Sequence, residues 1–310
     1  MLDNLLPAKI SNVLDKLPYE SICELRLRAD NPIVVNLQGE NYYLNECSIS
    51  KDKNMSCCVS IGVLQGIMQR LTKDSLYSVN DQIIEGYLTY DGGIRVGVCG
   101  EVVSVDNKVK TIKNISSINF RFPHFVKNCS MKLLPYIIDT SRNIKNTLII
   151  SPPGAGKTTY LRDIVYQLSN KFELLNILLV DERQELFSVF DGKDILKLNN
   201  VDVYSNCTKK YAFNNGIRSM KPDVIVTDEI NVEKDLGDIE SALTSGVKIF
   251  ASIHAGSINE LKQKSNFSDF IKKGLFERYI VLSKQNGIGT IEGIYNENLN
   301  LIGVWWNFIY

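Results

Sequence analysis

The sequence predicts an α/β protein in which a mostly parallel sheet, covered by helices, follows a smaller N-terminal α+β domain. In the second half of the chain, short apolar segments alternate with helix-compatible stretches, as in a sheet buried on both faces. These segments are residues 147–150, 177–181, 201–204, 224–228 and 248–253. In the first third, apolar and polar residues alternate between turn signals, which is typical of a small half-buried sheet.

The length of 310 residues allows two domains. We expect an N-terminal domain at 1–123, a linker helix within 124–146 and a larger domain at 147–310. The net charge of zero argues against a dedicated nucleic-acid binder. Seven cysteines without a C-x-x-C spacing predict reduced thiols in a cytosolic protein and no zinc site. Neither a signal peptide nor a membrane span is expected.

Alternation in the N-terminal domain predicts a strand at Glu24–Arg28 and a hairpin that turns near Gly39. A helix is expected from Val63 to Leu71, and a long strand from Ile94 to Val105. At the other end of the chain, the apolar run Leu301–Trp306 predicts a packed last strand. The alternative for this run is an edge that faces a partner or touches a membrane.

The segment from Ser151 to Thr159, Ser-Pro-Pro-Gly-Ala-Gly-Lys-Thr-Thr, joins an apolar strand to a helical pattern and has the spacing of a phosphate-binding loop. Its glycines let the backbone approach phosphates closely. Lys157 can reach the β- and γ-phosphates of ATP, and Thr158 can hold Mg²⁺. The expected nucleotide-binding residues are Pro153, Gly154, Ala155, Gly156, Lys157, Thr158 and Thr159.

Two further points concern this loop. Ser151 stands where the motif has its first glycine, and a positive φ there is more costly for serine. The alternative interpretation of the whole segment is an ordinary glycine-rich turn that joins a strand to a helix. The apolar spacing of Leu161, Ile164, Val165 and Leu168 favours the phosphate loop, because it predicts one buried helix face directly downstream.

Two apolar strands end in carboxylates. The strand at 224–229 ends in Asp228, suited to hold Mg²⁺, and Glu229, suited to orient or deprotonate the attacking water. The strand at 178–181 is followed by Glu182, which competes with Glu229 for the water. The alternative is an ion pair of Asp181 or Glu182 with Arg183 on a solvated turn. The carboxyl ends of parallel strands share one sheet edge, where ligands of such sheets bind.

A fourth apolar strand, at 248–253, delivers His254 to the same edge. There the imidazole can sense the γ-phosphate by hydrogen bonding, although a lone histidine is more often structural. In chain order, the four elements resemble the Walker A, aspartate, Walker B and histidine boxes of the secretion-type hexameric ATPases of type II, type IV and pilus machines.

Over nearly its whole length, the chain is also similar to the stage III sporulation protein AA family of endospore-forming bacteria. The segments that carry this similarity are Glu24–Arg28, Gly92–Gly100, Ser117–Arg121, Asp181–Arg183 and Tyr279–Ile294. Two positions depart from the secretion ATPases. Asp228 stands where they commonly have glycine, and Ser151 replaces their first loop glycine.

This resemblance implies a RecA-like P-loop NTPase of the AAA+ class that hydrolyses ATP with Mg²⁺. It implies a homo-hexamer in the mother-cell cytoplasm, peripheral to the membrane that faces the forespore. There the motor would power a channel through an integral membrane subunit, without direct contact to nucleic acid. Arginines of the N-terminal domain complete the nucleotide site in such ATPases, so the resemblance makes Arg95 and Arg121 the candidates, with Arg26 and Arg28 behind them.

Two other functions are compatible with the sequence. Recombinase-like cores carry the same boxes, so the chain could be a translocase whose hydrolysis is stimulated by nucleic acid. It could also be a scaffold that binds ATP without hydrolysing it.

Overall fold

A computed structural model describes residues 2, 4–72, 80–84, 86–90, 93–106, 108–123, 125–182, 186, 198–263 and 267–304. The chain divides into two compact units, residues 1–124 and 125–310. Gly92, Arg183 and the Trp305–Trp306 end of the last apolar run lie outside the described residues.

The first unit is built on an antiparallel sheet. Its strands are β1 (Ile22–Arg28), β2 (Val34–Leu37), β3 (Glu40–Leu44), β4 (Ile49–Ser50), β5 (Tyr87–Tyr90), β6 (Ile94–Val105) and β7 (Lys108–Arg121). Within the described residues they lie in the order β4-β3-β2-β1-β7-β6-β5. The helices are α1 (Ala8–Leu14), α2 (Ile61–Leu71) and α3 (Asn80–Ile84). The predicted strands, hairpin and helix of this region are therefore confirmed.

Alternation along β1 explains how this sheet separates its two faces. Leu25 and Leu27 are fully buried and join the core of the unit together with Phe120 of β7. The polar residues between them point to the opposite face. The hairpin between β2 and β3 turns through Gln38 and Gly39, with φ of 49° and 95°. Positive φ at both central turn residues matches the right-handed twist of the paired strands.

The second unit contains a mixed sheet covered by helices. Its strands are β8 (Thr147–Ser151), β9 (Ile177–Asp181), β10 (Val201–Ser205), β11 (Val224–Glu229), β12 (Lys248–His254), β13 (Arg278–Ser283), β14 (Thr290–Asn296) and β15 (Leu301–Gly303). The helices are α4 (Leu134–Ile137), α5 (Lys157–Lys171), α6 (Lys209–Ser219), α7 (Val232–Thr244), α8 (Ile258–Gln263) and α9 (Phe267–Lys272).

In the described part of the chain this sheet has the order β10-β9-β11-β12-β8-β13-β14-β15. Neighbours from β10 to β13 pair in parallel, whereas β14 and β15 pair antiparallel. All five strands predicted for this region are present. The hairpin of β13 and β14 was not among the expected strands. β15 pairs with β14 but leaves Leu301 and Ile302 exposed, so this part of the last apolar run is an edge and not a packed strand.

Apolar side chains fill both faces of this sheet. On one face, α5 contributes the predicted stripe, and the side chains of Leu161, Ile164, Val165 and Leu168 are all fully buried. Residues 125–146 add to the same core through Leu133 and Ile137. The buried carboxylate of Asp163 fixes this segment to α5, because it accepts hydrogen bonds from the backbone of Asn128 and Ser130 at 2.9 and 2.7 Å.

On the other face, α7 begins at a side-chain cap. The Asn231 Oδ1 atom accepts hydrogen bonds from the backbone N–H groups of Glu233 and Lys234. Gly246, with φ of 83°, follows the end of the helix. Among the helices that the structure describes, none has the length and apolar composition needed to cross a membrane.

Candidate nucleotide site at the carboxyl edge of the parallel sheet

Four neighbouring strands bring the predicted chemistry to one edge of the second unit. β8, β12, β11 and β9 lie side by side, and all run parallel. Their carboxyl ends carry Ser151, His254, Glu229 and Asp181. Ligands of open parallel sheets bind outside such strand ends, so this edge is the candidate site.

The β8–α5 loop, residues 152–156, turns sharply at its glycines. Gly154 has a φ of 68° and Gly156 a φ of 95°, both in the left-handed region that costs glycine little. α5 starts directly after its N-cap residue Gly156, which has no side chain to accept a hydrogen bond. A helix start of this kind presents backbone N–H groups and a positive dipole end, which together suit an anion.

Lys157, His254 and Glu229 form a continuous polar chain at this loop. The Lys157 Nζ atom lies 3.0 Å from Nε2 and 3.2 Å from Nδ1 of the His254 ring. The same Nε2 atom lies 3.1 Å from Oε2 of Glu229. Lys157 is 9% exposed, whereas the side chains of His254 and Glu229 are about one-third exposed, at 33% and 34%. We call these three residues the Lys–His–Glu chain.

β-Sheet register explains how residues so distant in sequence meet. His254 pairs directly with Ser151 across β12 and β8, and the loop that carries Lys157 begins after Ser151. On the other side of β12, Ser252 pairs with Glu229. The histidine therefore lies between the strand that leads to the lysine and the strand that ends in the glutamate. The sequence spacing did not decide whether His254 has a functional role. In the structure it contacts Lys157 and Glu229, two residues of the predicted site.

Asp228 precedes Glu229 and points to a different partner. Its side chain is 8% exposed, and Oδ1 accepts a hydrogen bond from the Ser252 hydroxyl at 3.1 Å. Thr158 lies in the first turn of α5, and α5 packs against β11. A buried carboxylate and a hydroxyl are oxygen donors of the kind that Mg²⁺ prefers, so the chemistry of these residues fits the metal.

The second acidic pair has different contacts. Asp181 is fully buried, and its Oδ1 atom accepts a hydrogen bond from the Leu186 backbone N–H at 3.0 Å. The Glu182 carboxylate forms an ion pair with Lys209, the first residue of α6, with Oε2 and Nζ 2.6 Å apart. Nearby on α7, burial raises the pKa of Asp235, while Lys209 acts in the opposite direction. Glu182 is thus engaged by a lysine that the sequence reasoning did not consider.

The turn between β13 and β14 was also missed. Its Gly289 lies against the β8–α5 loop, with Cα 3.5 Å from the point where a Cβ on Gly156 would lie. The buried hydroxyl of Tyr160 donates a 2.9 Å hydrogen bond to the Gly289 carbonyl. Burial raises the pKa of Tyr160, so the hydroxyl remains a donor. No sequence motif marked this turn, because the contact joins segments about 130 residues apart.

In the first unit, the predicted arginines share one face of the antiparallel sheet. Arg95 pairs with Arg121 across β6 and β7, and Arg26 and Arg28 lie on the neighbouring strand β1. These four residues line a cleft with a volume of about 450 Å³. We call it the arginine cleft.

Contacts with Glu24 and Tyr87 hold the side chains of the arginine cleft. The carboxylate of Glu24 pairs with Arg26 at 2.6 Å and with Arg121 at 3.9 Å. The Arg95 guanidinium lies 4.4 Å from the centre of the Tyr87 ring. Among the residues that the structure describes, four guanidinium groups line this cleft, and their positive charge suits an anion.

Comparisons with known proteins agree on one family and one fold. The family model described as "Sporulation stage III, protein AA" matches residues 1–302. The stage III sporulation protein AA of Bacillus subtilis (strain 168) is 32% identical over 304 residues, which cover 96% of this chain and 95% of that protein.

Among solved structures, the ATPase DotB of Legionella pneumophila superposes with a TM-score of 0.55 at 15% identity, over 90% of this chain and 76% of DotB. The pilus retraction motor PilT with bound ADP gives a TM-score of 0.57 at 16% identity, over 89% of this chain and 78% of PilT. At such low identity these two matches establish a shared fold.

Proposed function

The chain belongs to the Sporulation stage III, protein AA family, and from this premise we propose that it is a Mg²⁺-dependent ATPase that acts as a motor in spore formation. The observation that carries the proposal is the Lys–His–Glu chain. It joins the cation of a tight glycine loop after β8 to a carboxylate at the end of β11, through His254 of the intervening strand β12. The Lys157 Nζ atom lies 3.2 Å from Nδ1, and the Glu229 Oε2 atom lies 3.1 Å from Nε2, so the two ring nitrogens can serve the two neighbours. The shared fold with an ATPase and with an ADP-bound motor supports the same activity.

In this proposal each residue at the sheet edge has one task. The N–H groups at the start of α5 and the Lys157 ammonium bind the phosphates. Thr158 and Asp228 would hold Mg²⁺, which neutralises phosphate charge when it is bound. Glu229 orients the attacking water and accepts its proton. His254 contacts both Lys157 and Glu229. It therefore couples the position of the Glu229 carboxylate to that of the Lys157 ammonium group.

Glu182 is assigned a lesser part than Glu229. Its carboxylate already forms a short ion pair with Lys209, whereas Glu229 contacts the histidine beside the loop lysine. The Glu182 oxygen that faces Lys209 is therefore engaged in this ion pair, whereas Glu229 is linked through His254 to the loop lysine. We therefore propose Glu229 as the general base and Glu182 as a positioning residue.

The arginine cleft supports a role in binding the anionic part of the nucleotide. Arg95 and Arg121 are proposed to supply positive charge to the γ-phosphate, as the family resemblance implies. Assembly as a homo-hexamer, action on an integral membrane subunit and a location in the mother cell facing the forespore belong to the same proposal. The support for these points is the family itself, whose Bacillus member is a sporulation protein.

The direct test is phosphate release by the purified full-length chain, with Mg²⁺ and with EDTA. Lys157→Ala should lower turnover by at least about a hundredfold, because it removes a charge that stabilises the transition state. Lys210→Ala is the matched control, since Lys210 is exposed on α6. Equal Mg²⁺-dependent turnover in Lys157→Ala and wild type would contradict the proposal. Tight ATP binding without turnover in the wild type would select the scaffold, and strong stimulation by DNA or RNA would select the translocase.

A further inference from the structure

A second lysine lies beside the β8–α5 loop. The turn between β13 and β14 carries Lys284, whose Nζ atom is 3.0 Å from the point where a Cβ on Gly154 would lie. Its Cε atom is 3.5 Å from the same point. The ammonium group therefore lies against the backbone of the loop that is proposed to bind phosphates.

The turn that carries Lys284 is held in place by hydrogen bonds. Its backbone carbonyl accepts a bond from the Gly287 N–H at 3.3 Å. The Thr290 hydroxyl donates to the Gly287 carbonyl at 2.9 Å. Gly289 is fixed in turn by the Tyr160 hydroxyl on α5. This turn is therefore anchored to the same helix that starts at the phosphate loop, and it keeps Lys284 near Gly154.

The charge of Lys284 is not used elsewhere in the described residues. No hydrogen bond or ion pair among them ends at its ammonium group, and its side chain is exposed. Lys157, which follows the same loop, is already in contact with His254. Two ammonium groups beside one loop repel each other. A bound polyanion attracts both groups and so offsets this repulsion.

We propose that Lys284 is a second phosphate-binding cation of the nucleotide site, supplied by the β13–β14 turn of the same chain. This inference rests on the proposed function. Lys284 approaches the loop at Gly154, whereas Lys157 approaches from the first turn of α5. The two cations thus flank the bound phosphates and recognise the polyphosphate part of the ligand.

The test is equilibrium binding of fluorescent ATP, ADP and AMP analogues to the full-length protein. Lys284→Gln should weaken ATP binding about tenfold and leave AMP binding within about twofold, because only the longer phosphate chain reaches the cation. Lys284→Arg should stay within about threefold of wild type, since the charge is kept. The loss in Lys284→Gln should shrink when the salt concentration rises from about 0.05 M to about 0.3 M.

Lys210→Gln removes an exposed charge from α6 and is the matched control, expected to bind all three nucleotides as wild type does. If wild type binds ATP and Lys284→Gln binds it equally well, the inference is overturned while the proposed function stands. An equal loss of ATP and AMP binding would also overturn it, because it would indicate damage to the fold. If wild type binds no ATP, the proposed function itself fails.

Discussion

Replacing each of the two candidate glutamates by glutamine should separate chemistry from stability. Glu229→Gln keeps the size of the side chain but removes the base that contacts His254 at 3.1 Å. Loss of a general base typically lowers the rate by about 10²–10⁴-fold, or about 3–5 kcal/mol of barrier. Because the side chain of Glu229 is one-third exposed, the folded state should lose little stability.

Glu182→Gln should give the opposite pattern. At 2.6 Å the attraction between Glu182 and Lys209 has a gross value of about 6 kcal/mol at an effective dielectric constant of about 20. Desolvation of the lysine, whose side chain is 10% exposed, and solvent around the 37% exposed glutamate cancel most of this energy. We expect a net loss of about 1–2 kcal/mol, since the variant leaves a nearly buried ammonium without its counter-charge.

Two measurements on each variant suffice: the initial rate of phosphate release at saturating ATP, and the free energy of unfolding by urea. Glu229→Gln should lose turnover and keep its unfolding free energy. Glu182→Gln should lose stability and keep turnover within about tenfold. The reasoning is refuted if Glu182→Gln abolishes turnover without a change in stability while Glu229→Gln remains active.

Two further predictions concern stability alone. Gly156→Ala should lower the free energy of unfolding by about 1–2 kcal/mol, because alanine must adopt a φ of 95°; equal urea midpoints for variant and wild type would contradict this. Although burial alone would raise the pKa of Glu277, hydrogen bonds from the Asn146 N–H and Lys145 hold this pKa below its ordinary value. Glu277→Gln should therefore cost about 1 kcal/mol at pH 7, and the difference from wild type should vanish as the pH falls through the lowered pKa; a constant difference would exclude this cause.

Most of the fold could be predicted because the apolar residues that form local sequence patterns are also the residues that are buried in the folded protein. Four of the five strands predicted for the second unit, β8, β9, β11 and β12, are apolar runs that are almost entirely buried, and β8 is fully buried along its whole length. The stripe on α5 follows the helical period. The β13–β14 hairpin was harder to predict, since its contacts with the β8–α5 loop and with α5 depend on Gly289 and on the Tyr160 hydroxyl, and neither forms a motif.

Side-chain pairing at the site could not be predicted from strand ends alone. Glu182 directly follows β9 and Glu229 is the last residue of β11, so both lie at the carboxyl end of a buried parallel strand and the sequence pattern does not distinguish them. The difference arises from their neighbours across the sheet. β11 lies next to β12, which delivers His254, whereas β9 lies next to β10, after which Lys209 begins α6. Strand order, which has no local signature, therefore decides which carboxylate meets the loop lysine.

Strand pairing also explains why serine is tolerated at position 151, directly before the β8–α5 loop. Ser151 is the last residue of β8, fully buried, and is not among the residues with positive φ, so the expected strain is wrong. Its backbone carbonyl lies 3.3 Å from the ring Nδ1 of His254 and accepts a bond from the Ala255 N–H at 3.3 Å. The position thus requires an extended residue that pairs with β12. Glycine is required only at 154 and 156, where the backbone is left-handed.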